Sequence, residues 1–108
     1  MYKAYVKEKE NLDVFETEHG FGAYYIDEIG RYMNLSDFFI KPESRNGIHS
    51  TQLWGELKKI AVSRGCKRVI CQCNLLHEKP EESLFAILRH KFKYSHILNE
   101  VIYFYIDL

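Results

Sequence analysis

The sequence has no excess of either charge. Its 15 Lys and Arg residues equal its 15 Asp and Glu residues, whereas proteins that bind nucleic acid or a membrane surface usually carry a basic excess. No apolar run approaches the roughly 20 residues that span a bilayer, and the N-terminus has no signal-peptide pattern. These absences argue against nucleic-acid and membrane partners and predict a soluble, cytoplasmic protein.

Cysteine is scarce and odd in number, with three residues. Cys71 and Cys73 lie two positions apart in one predicted strand, where they point to the same face at a poor angle for a disulfide. No disulfide framework is predicted, which favours a reducing compartment. In an apolar strand these thiols are expected to be small buried hydrophobes rather than nucleophiles. The histidines show no metal-ligand spacing, and no metal site is predicted.

Apolar side chains are plentiful: 46% of the residues are hydrophobic and 15% are aromatic. Such a composition predicts a folded globule rather than a disordered chain. A length of 108 residues allows one core but not two. No repeat, linker or low-complexity segment interrupts the sequence, so we expect residues 1–108 to form one domain.

The first part of the chain has the alternation of a β-meander. Tyr2, Ala4 and Val6 predict an initial strand, and residues 7–11 predict a polar turn. Three further strands are predicted at 12–17, 21–26 and 32–40.

From Ser50 the apolar period becomes helical. Leu53, Leu57, Ile60 and Ala61 predict a helix over 50–64, and Gly65 is a suitable C-terminal cap. Residues 67–74 predict a buried central strand. Pro80, followed by two acids, predicts a second helix that ends near His90 and turns Leu84, Ile87 and Leu88 inward. The last segment predicts a hairpin over 94–108, folded at Asn99-Glu100.

The most informative stretch joins the strand at 32–40 to the first helix. Its sequence is Asp37-Phe38-Phe39-Ile40-Lys41-Pro42-Glu43-Ser44-Arg45-Asn46-Gly47-Ile48-His49-Ser50-Thr51-Gln52-Leu53-Trp54. A strand, a glycine loop and a helix N-terminus in that order can direct backbone N–H groups at an anion. The same residues could also form only a polar strand-to-helix loop.

This stretch resembles the GCN5-related N-acetyltransferases, in which a Pro-Glu-x-Arg-Gly-x-Gly-type loop holds the diphosphate of acetyl-CoA. Residues 42–48 fit that pattern with one loop residue missing, and His49 stands where the family has a second small residue. Residues 67–70 are similar to the family's central strand, and residues 87–93 to its late Tyr-x-x-x-Gly-Phe segment. The order of the predicted elements from Leu12 onward is also the family's order.

The resemblance implies an α/β (α+β) fold, a mixed and mostly antiparallel sheet with two helices. It also implies acetyl-CoA or another acyl-CoA as cofactor and an amine as acceptor. The family's two helices between its first and second strands have no counterpart here. The late tyrosine that protonates the departing thiolate falls at Ile87, and the family's glycine falls at Lys91.

The residues that the resemblance assigns to the cofactor lie in three places. The backbone of Phe39 and Ile40 would pair with the pantetheine arm, and an N–H near Ile40 would polarise the thioester carbonyl. Asn74 would border the thioester. The remaining contacts, with the diphosphate, would come from Arg45, Asn46, Gly47, Ile48, His49 and Ser50.

Several other side chains have two interpretations each. His49 could contact phosphate, act as a base or only cap the helix. Asp37 and Glu28 could deprotonate an amine or simply be solvated acids. Tyr103 and Tyr105 alternate on the last strand and are expected to be core or interface aromatics. No catalytic residue is assigned.

Two functions therefore remain open. The first is a small N-acyltransferase that depends on acyl-CoA. The second is a non-catalytic structural or interaction protein on the same fold, of a phage virion or mobile element, because the chain also resembles the small acetyltransferase-like virion proteins of short-tailed phages. A virion location would accompany this second function.

Two structural expectations follow from the predicted elements. The strands that end near Ile40 and Asn74 should diverge and leave a cleft at their C-terminal ends. A sheet without the family's first two helices should leave one face bare, and exposed apolar patches usually mark interfaces. We therefore expect a homo-oligomer or a partner complex formed through that face. The aromatic residues expected there are Tyr24, Tyr25, Tyr32, Phe38 and Phe39.

Overall fold

A computed structural model describes residues 12–76 and 78–108, and the predicted strand at 2–6 and turn at 7–11 lie outside them. The described chain contains six strands, two α-helices and a short 3-10 helix, Pro42–Ser44. In chain order the larger elements are β1 Asp13–Glu16, β2 Gly20–Asp27, β3 Tyr32–Ile40, α1 Ile48–Ser63, β4 Arg68–Asn74, α2 Pro80–Arg89, β5 Lys93–Leu98 and β6 Val101–Asp107.

The six strands form one sheet in the order β1-β2-β3-β4-β6-β5. Every neighbouring pair is antiparallel except β3 and β4, which run parallel and are connected through α1. β4 lies inside the sheet, and its Val69, Cys71 and Cys73 are buried. The predicted mixed, mostly antiparallel sheet with a buried central strand is confirmed.

Helix α1 begins at Ile48, two residues before the predicted start at Ser50. Gly47 is its N-cap and has a φ of 88°, a left-handed conformation that favours glycine. The Asn46 Oδ1 accepts a hydrogen bond of 3.0 Å from the Ile48 N–H, which replaces a helical partner for that group. The periodic apolar side chains that predicted the helix start only at Leu53, so they could not mark its first turn.

The C-terminal end of α1 forms the glycine cap that the sequence predicts. Gly65 has a φ of 78°. Its N–H donates to the Val62 carbonyl at 3.1 Å, and the Cys66 N–H donates to the Ala61 carbonyl at 2.9 Å. These two bonds are the pattern of a Schellman motif.

One face of the sheet carries both helices and the main core. From α1, Leu53, Trp54, Leu57 and Ala61 are buried in it, and Ile60 is partly buried against it. Met33 and Leu57 are wholly inaccessible to solvent. The expected packing of the first helix on the sheet is confirmed.

Helix α2 contributes less to the core than the sequence suggests. Its Leu84 and Ile87 pack against the core cluster, but Leu88, expected to point inward, is 55% exposed. The chain leaving α2 returns to the core at Phe92, whose ring lies 5.0 Å from that of Trp54.

The aromatic residues expected to share one bare face are divided between the two faces. Tyr24 is buried in the core on the helix side, and Phe38 packs against that core. Since neighbours along a strand point to opposite faces, Tyr25, Tyr32 and Phe39 lie on the other side. A bulge in β3 changes the alternation after Leu35, which sequence spacing could not reveal.

No helix in the described ranges is both long and apolar enough to cross a bilayer.

Candidate functional site

A wedge opens between β3 and β4 at the C-terminal ends of the two strands. The strands pair only from Tyr32 with Arg68 to Leu35 with Cys71, although β3 continues to Ile40 and β4 to Asn74. The register of β3 on β2 shifts next to Leu35, which places an extra residue, Ser36, in β3. Such a bulge bends its strand. The predicted divergence is confirmed, and the bulge at its origin was not predicted.

Of the two residues at the end of β3 that were predicted to contact the cofactor, one is exposed and the other is buried. The Phe39 side chain is 40% exposed, whereas Ile40 is 7% exposed and belongs to the core. In the described structure, the residues of β3 after Leu35 pair with β2 and not with β4. The β4-facing edge of this segment is therefore the part of β3 that an extended ligand could follow.

Arg45 fastens the loop to the end of β3. Its Nε donates a hydrogen bond of 2.7 Å to the Ile40 carbonyl, and its guanidinium lies 5.4 Å from the centre of the Phe39 ring. A short charge-assisted bond of this kind holds the loop in place. Arg45 thus has a structural role, which leaves only part of its guanidinium available to a ligand.

The loop ends in a tight arrangement at the first turn of α1. The Ser50 and Thr51 hydroxyls donate to the Gly47 carbonyl at 3.1 and 2.8 Å. These bonds stabilise the first turn of α1. The free N–H groups of a helix lie at this end, where the helix dipole is positive. Gly47, Ile48 and Ser50, three of the residues predicted to contact the diphosphate, lie at this helix start.

Arg89, at the end of α2, also reaches this turn. Its Nη2 donates a hydrogen bond of 2.8 Å to the Ser50 Oγ, and a Cβ at Gly47 would lie 3.0 Å from its Nη1. The glycine therefore leaves room for the guanidinium. Arg89 is not recognisable as a site residue from the sequence, because 39 positions separate it from Ser50 and nothing in the local pattern links them.

His49 turns toward the β1–β2 connection. Its ring stacks on His19 with 3.5 Å between the ring centroids. The His19 Nδ1 lies 3.0 Å from the Ser44 Oγ, and its Nε2 lies 3.2 Å from a Glu18 carboxylate oxygen. The His49 Nδ1 is buried and has no hydrogen-bond partner among the described residues. The pair holds the loop, through Ser44, against the β1–β2 turn.

Beside this histidine pair is an open hollow of about 360 Å³. Its lining combines one face of α1 with the β1–β2 turn, namely Thr17, His19, His49, Gln52, Leu53 and Glu56. Of the residues predicted to contact the cofactor, only His49 lines the hollow. The hollow is therefore a different place from the wedge.

Asn74 ends β4 and turns its side chain onto the backbone. Its Oδ1 accepts a hydrogen bond of 2.9 Å from the Leu76 N–H, and its backbone is paired with Val101. The Leu75 N–H in turn donates to the Glu100 carbonyl at 2.9 Å. Asn74 thus fixes the path of the chain at the second edge of the wedge.

The residues considered for proton transfer do not form a group. Glu28 pairs with Arg64 at 3.2 Å, at the far end of α1 from the loop. Asp37 is exposed on β3, and Ile87, in the place of the family's late tyrosine, packs against the core. The described structure offers no assembled acid and base beside the wedge.

The three thiols are free and buried. Burial, with a smaller contribution from Cys73, raises the pKa of Cys71 from 9.0 to about 12. Burial also raises the pKa values of Cys66 and Cys73. Because the thiolate is the reactive form, these residues are structural hydrophobes. Residues 12–76 and 78–108 contain no cluster of His, Cys, Asp and Glu that could hold a metal ion.

No protein-family model matches the sequence, and no curated protein matches it. Solved structures do match the fold. An N-acetyltransferase, PaiA of Thermoplasma acidophilum in complex with coenzyme A, has a TM-score of 0.74 and 19% identity, and the match covers 95% of this chain and 66% of that one.

A GNAT-family acetyltransferase of Elizabethkingia anophelis with acetyl-CoA bound has a TM-score of 0.73 and 11% identity, over 98% of this chain and 83% of that one. A putative acyl-CoA N-acyltransferase of Klebsiella pneumoniae has a TM-score of 0.66 and 18% identity, over 83% and 63%. The chain has the acyl-CoA N-acyltransferase fold. It spans about two thirds of the length of two of these three proteins.

The fold predicted from the resemblance is confirmed by these structures, and within the described residues it carries two α-helices. The neighbours are acetyltransferases, which makes this chain acetyltransferase-like in structure. The likeness to phage virion proteins finds no support in these comparisons.

Proposed function

We propose that the chain binds an acyl-CoA in the wedge between β3 and β4 and transfers its acyl group to an amine. The observation that carries this proposal is the parting of two parallel strands directly beside a glycine loop, a helix N-terminus and Arg89. Open sheets commonly bind ligands outside the C-terminal ends of their parallel strands. Two proteins with this fold hold coenzyme A or acetyl-CoA.

The diphosphate would lie at the first turn of α1. The Asn46 and Ile48 N–H groups already donate to the Ser44 carbonyl and the Asn46 Oδ1. The N–H groups of Gly47, His49 and Ser50 would therefore donate to the diphosphate oxygens, and the helix dipole would favour its charge. Arg89 would add a guanidinium, which is suited to phosphate because its N–H groups form a planar fork. Gly47 supports this geometry, because a side chain there would occupy the space between the helix end and Arg89.

The pantetheine arm would follow the free edge of β3 after the bulge. Of the two predicted residues, Ile40 would pair with one of the arm's amides, because neighbouring residues of a strand direct their N–H and C=O groups to opposite edges. The bond from the Lys41 N–H to the His19 carbonyl directs the backbone groups of Phe39 toward β2. The thioester would lie nearer the base of the wedge, close to Asn74. An N–H of β3 would donate to the thioester oxygen and stabilise the charge that develops there during attack.

The chemistry would be direct attack by a neutral amine on the thioester carbonyl. A C–N bond forms as the C–S bond breaks, the amine loses a proton, and coenzyme A leaves as a thiolate that solvent protonates. Ile87 cannot donate that proton. The protein would therefore contribute mainly orientation and the polarising N–H. A cytoplasmic location accords with this proposal and with the three free thiols.

A second candidate is a protein that holds acyl-CoA, or only the fold, without turnover. The apolar side chain of Ile87, packed into the core in place of an acid, favours it. Both candidates predict the same stable fold, so binding and transfer have to be measured separately.

The test is a calorimetric titration of the full chain with acetyl-CoA. We expect saturable binding by the wild type. Arg89→Ala should weaken it by about 1.5–3 kcal/mol, the range for a hydrogen bond to a charged group. The matched control is Arg64→Ala, which removes the same charge from the other end of α1, where the guanidinium pairs with Glu28 on the surface. Binding by that control should be unchanged.

A second pair of variants tests the loop itself. Gly47→Ala and Gly47→Glu both place a side chain at a φ of 88°, so both should lose about 1–2 kcal/mol of stability. Both side chains enter the space beside Arg89, so Gly47→Ala should weaken binding. The glutamate also puts a negative charge at the proposed diphosphate site, so Gly47→Glu should abolish binding. Equal affinities of the two variants would contradict the diphosphate placement.

Turnover is measured by release of the coenzyme A thiol in the presence of a panel of amines. Binding with release supports the transferase, and binding without release supports the second candidate. Wild-type protein that gives no heat with millimolar acetyl-CoA would rule out both acyl-CoA proposals.

A further inference from the structure

Strand β5 is exposed along its whole length. All six residues from Lys93 to Leu98 are exposed, although three of them are large and apolar: Tyr94 at 59%, Ile97 at 53% and Leu98 at 57%. The strand is at the end of the sheet order, and in the described structure it pairs only with β6. An exposed apolar edge strand is a common site of pairing with another chain.

The apolar residues of β5 occur on both faces of the strand. Ile97 pairs with Ile102, which packs against the core, so Ile97 lies on the helix side. Leu98, its neighbour, lies on the opposite side because side chains alternate. Neither helix covers Ile97, and a solvated edge strand would usually carry polar residues at such positions.

We propose that β5 is the contact between two copies of this chain, paired antiparallel about a two-fold axis. A second copy fits this edge because a strand edge is complementary to itself under such an axis: each outward N–H finds a C=O of the partner, and the same patch is used twice. The formal net charge of zero gives no overall repulsion between copies. The proposal does not depend on acyl-CoA binding.

The charges at the two ends of β5 favour the antiparallel orientation. Lys93 begins the strand, and Glu100 follows its end in the turn to β6. Antiparallel pairing brings Lys93 of one copy near Glu100 of the other, and it does so twice. Parallel pairing would bring like charges together.

A bulge sets where the pairing is centred. The register of β5 on β6 shifts between Tyr94 and His96, which leaves Ser95 unpaired with β6. Bulges at an edge limit pairing with further strands. The shared ladder should therefore be centred on residues 96–98, where β5 is regular.

The experiment measures the mass of the full chain by light scattering from micromolar to millimolar concentration. We expect a species of twice 12.9 kDa for the wild type and a monomer for Ile97→Lys, which adds a charge at the centre of the contact. The matched control is Ile29→Lys, since Ile29 is 99% exposed in the β2–β3 turn, and it should remain dimeric. A monomeric wild type at 1 mM, or a dimeric Ile97→Lys, would overturn the proposal.

A charge exchange provides a test that does not introduce lysine into the strand. Lys93→Glu should raise the dimer dissociation constant by about 2- to 30-fold, the effect expected for two exposed ion pairs. Adding Glu100→Lys should restore it, because the opposite charges meet again. No restoration would refute the antiparallel arrangement.

Amide hydrogen exchange tests the location of the contact in the unmodified chain. Exchange in residues 96–98 should slow as the concentration rises through the dissociation constant, while exchange in the β2–β3 turn should not change. A dimer whose β5 amides are insensitive to concentration would use another surface and would also overturn the proposal.

Discussion

Arg89 alters the electrostatics of the α1 N-terminus. A guanidinium 2.8 Å from the Ser50 hydroxyl brings a full positive charge to the positive end of a helix dipole. Arg89 also lies in the last turn of α2. The negative end of the α2 dipole is there, and it offsets part of the repulsion between Arg89 and the start of α1. An anion between Arg89 and the first turn of α1 would interact favourably with both. Gly47 keeps that space free of side chains.

Lys91 has a conformation that suits glycine better than lysine. Its φ is 73°, and a left-handed backbone costs an L-residue roughly 1–2 kcal/mol. The family resemblance predicted a glycine position here, and the backbone conformation agrees with it.

We expect Lys91→Gly to raise the free energy of unfolding by up to about 1 kcal/mol, less than the full strain because glycine also makes the unfolded chain more flexible. The measurement is urea unfolding. The control is Lys58→Gly in the exposed middle of α1, where the same substitution should lower stability by about 1 kcal/mol. A decrease in both variants would show that Lys91 is not strained.

Local sequence chemistry identified only part of the site. Gly47 and Ser50 could be predicted because a strand, a glycine and a helix start are adjacent in the chain. The stack of His49 on His19 and the bond between Arg89 and Ser50 join residues 30 or more positions apart, and no local pattern encodes such contacts. Arg45 was predicted as a diphosphate ligand, but its bond to the Ile40 carbonyl gives it a structural role as well.

The bounds of the strands and helices were predicted closely where an element has one apolar face and ends at a recognisable turn or cap residue. β3 and the hairpin turn at Asn99-Glu100 are where the sequence predicted them; both turn residues have positive φ, 49° and 65°. The α1 start was wrong by two residues, because its cap is an asparagine–glycine pair before the apolar period begins. The bulge at Ser36 depends on pairing with β2 and has no signature in β3 alone.

The contact between Trp54 and Phe92 joins α1 to the segment after α2. Phe92 is 7% exposed, and no residue of α2 is fully buried. The position of α2, and with it that of Arg89, therefore depends strongly on this aromatic pair.

We expect Phe92→Ala to lower the free energy of unfolding by about 3–5 kcal/mol, the range for a buried phenylalanine. Phe85→Ala is the matched control, because Phe85 on α2 is 68% exposed, and its effect should stay within about 0.5 kcal/mol. Both are measured by urea unfolding. Similar losses in the two variants would mean that Phe92 does not anchor α2.

The stability of the whole molecule should depend on pH, because several titratable groups are kept neutral in the folded protein. Burial raises the pKa values of Cys66, Cys71, Cys73 and Tyr24. A raised folded pKa contributes stability that is present below the unfolded value and is lost as pH rises toward the folded value. For His90 the direction is reversed, because burial and then the Arg89 charge lower its pKa from 6.5.

We therefore expect a stability plateau from about pH 7 to 9, the interval between the ordinary values of 6.5 for His90 and 9.0 for the thiols. Above pH 9 the urea midpoint should fall because the thiols ionise when the protein unfolds. Below pH 6.5 it should fall because His90 takes up a proton when the protein unfolds. Cys71→Ala should have a shallower alkaline decline than the wild type. An unchanged slope in that variant would show that Cys71 does not contribute.

The sheet as a whole could be predicted through the family resemblance, which three stretches of sequence carry in the family's order. Periodicity alone indicated only a mixed domain of strands and helices. Which aromatic residues share a face was not predictable, because the alternation of β2 and β3 divides them between the two faces of the sheet. The exposed edge at β5 becomes visible only when the sheet order is known.

The short parallel ladder between β3 and β4 also makes the sheet mechanically uneven. Four residue pairs join these strands, whereas eight join β2 to β3 and seven join β4 to β6. The sheet is thus two three-stranded units joined along a narrow seam, with α1 packed across both. Strands β1 and β2, at one edge of the sheet, are also joined by four pairs, but the β3–β4 seam is the shortest ladder in the interior of the sheet. Thermal separation of the two units should therefore begin there. A molecule seated in the wedge would bridge the two units and resist their separation, so the seam that creates the wedge also determines how far it can widen.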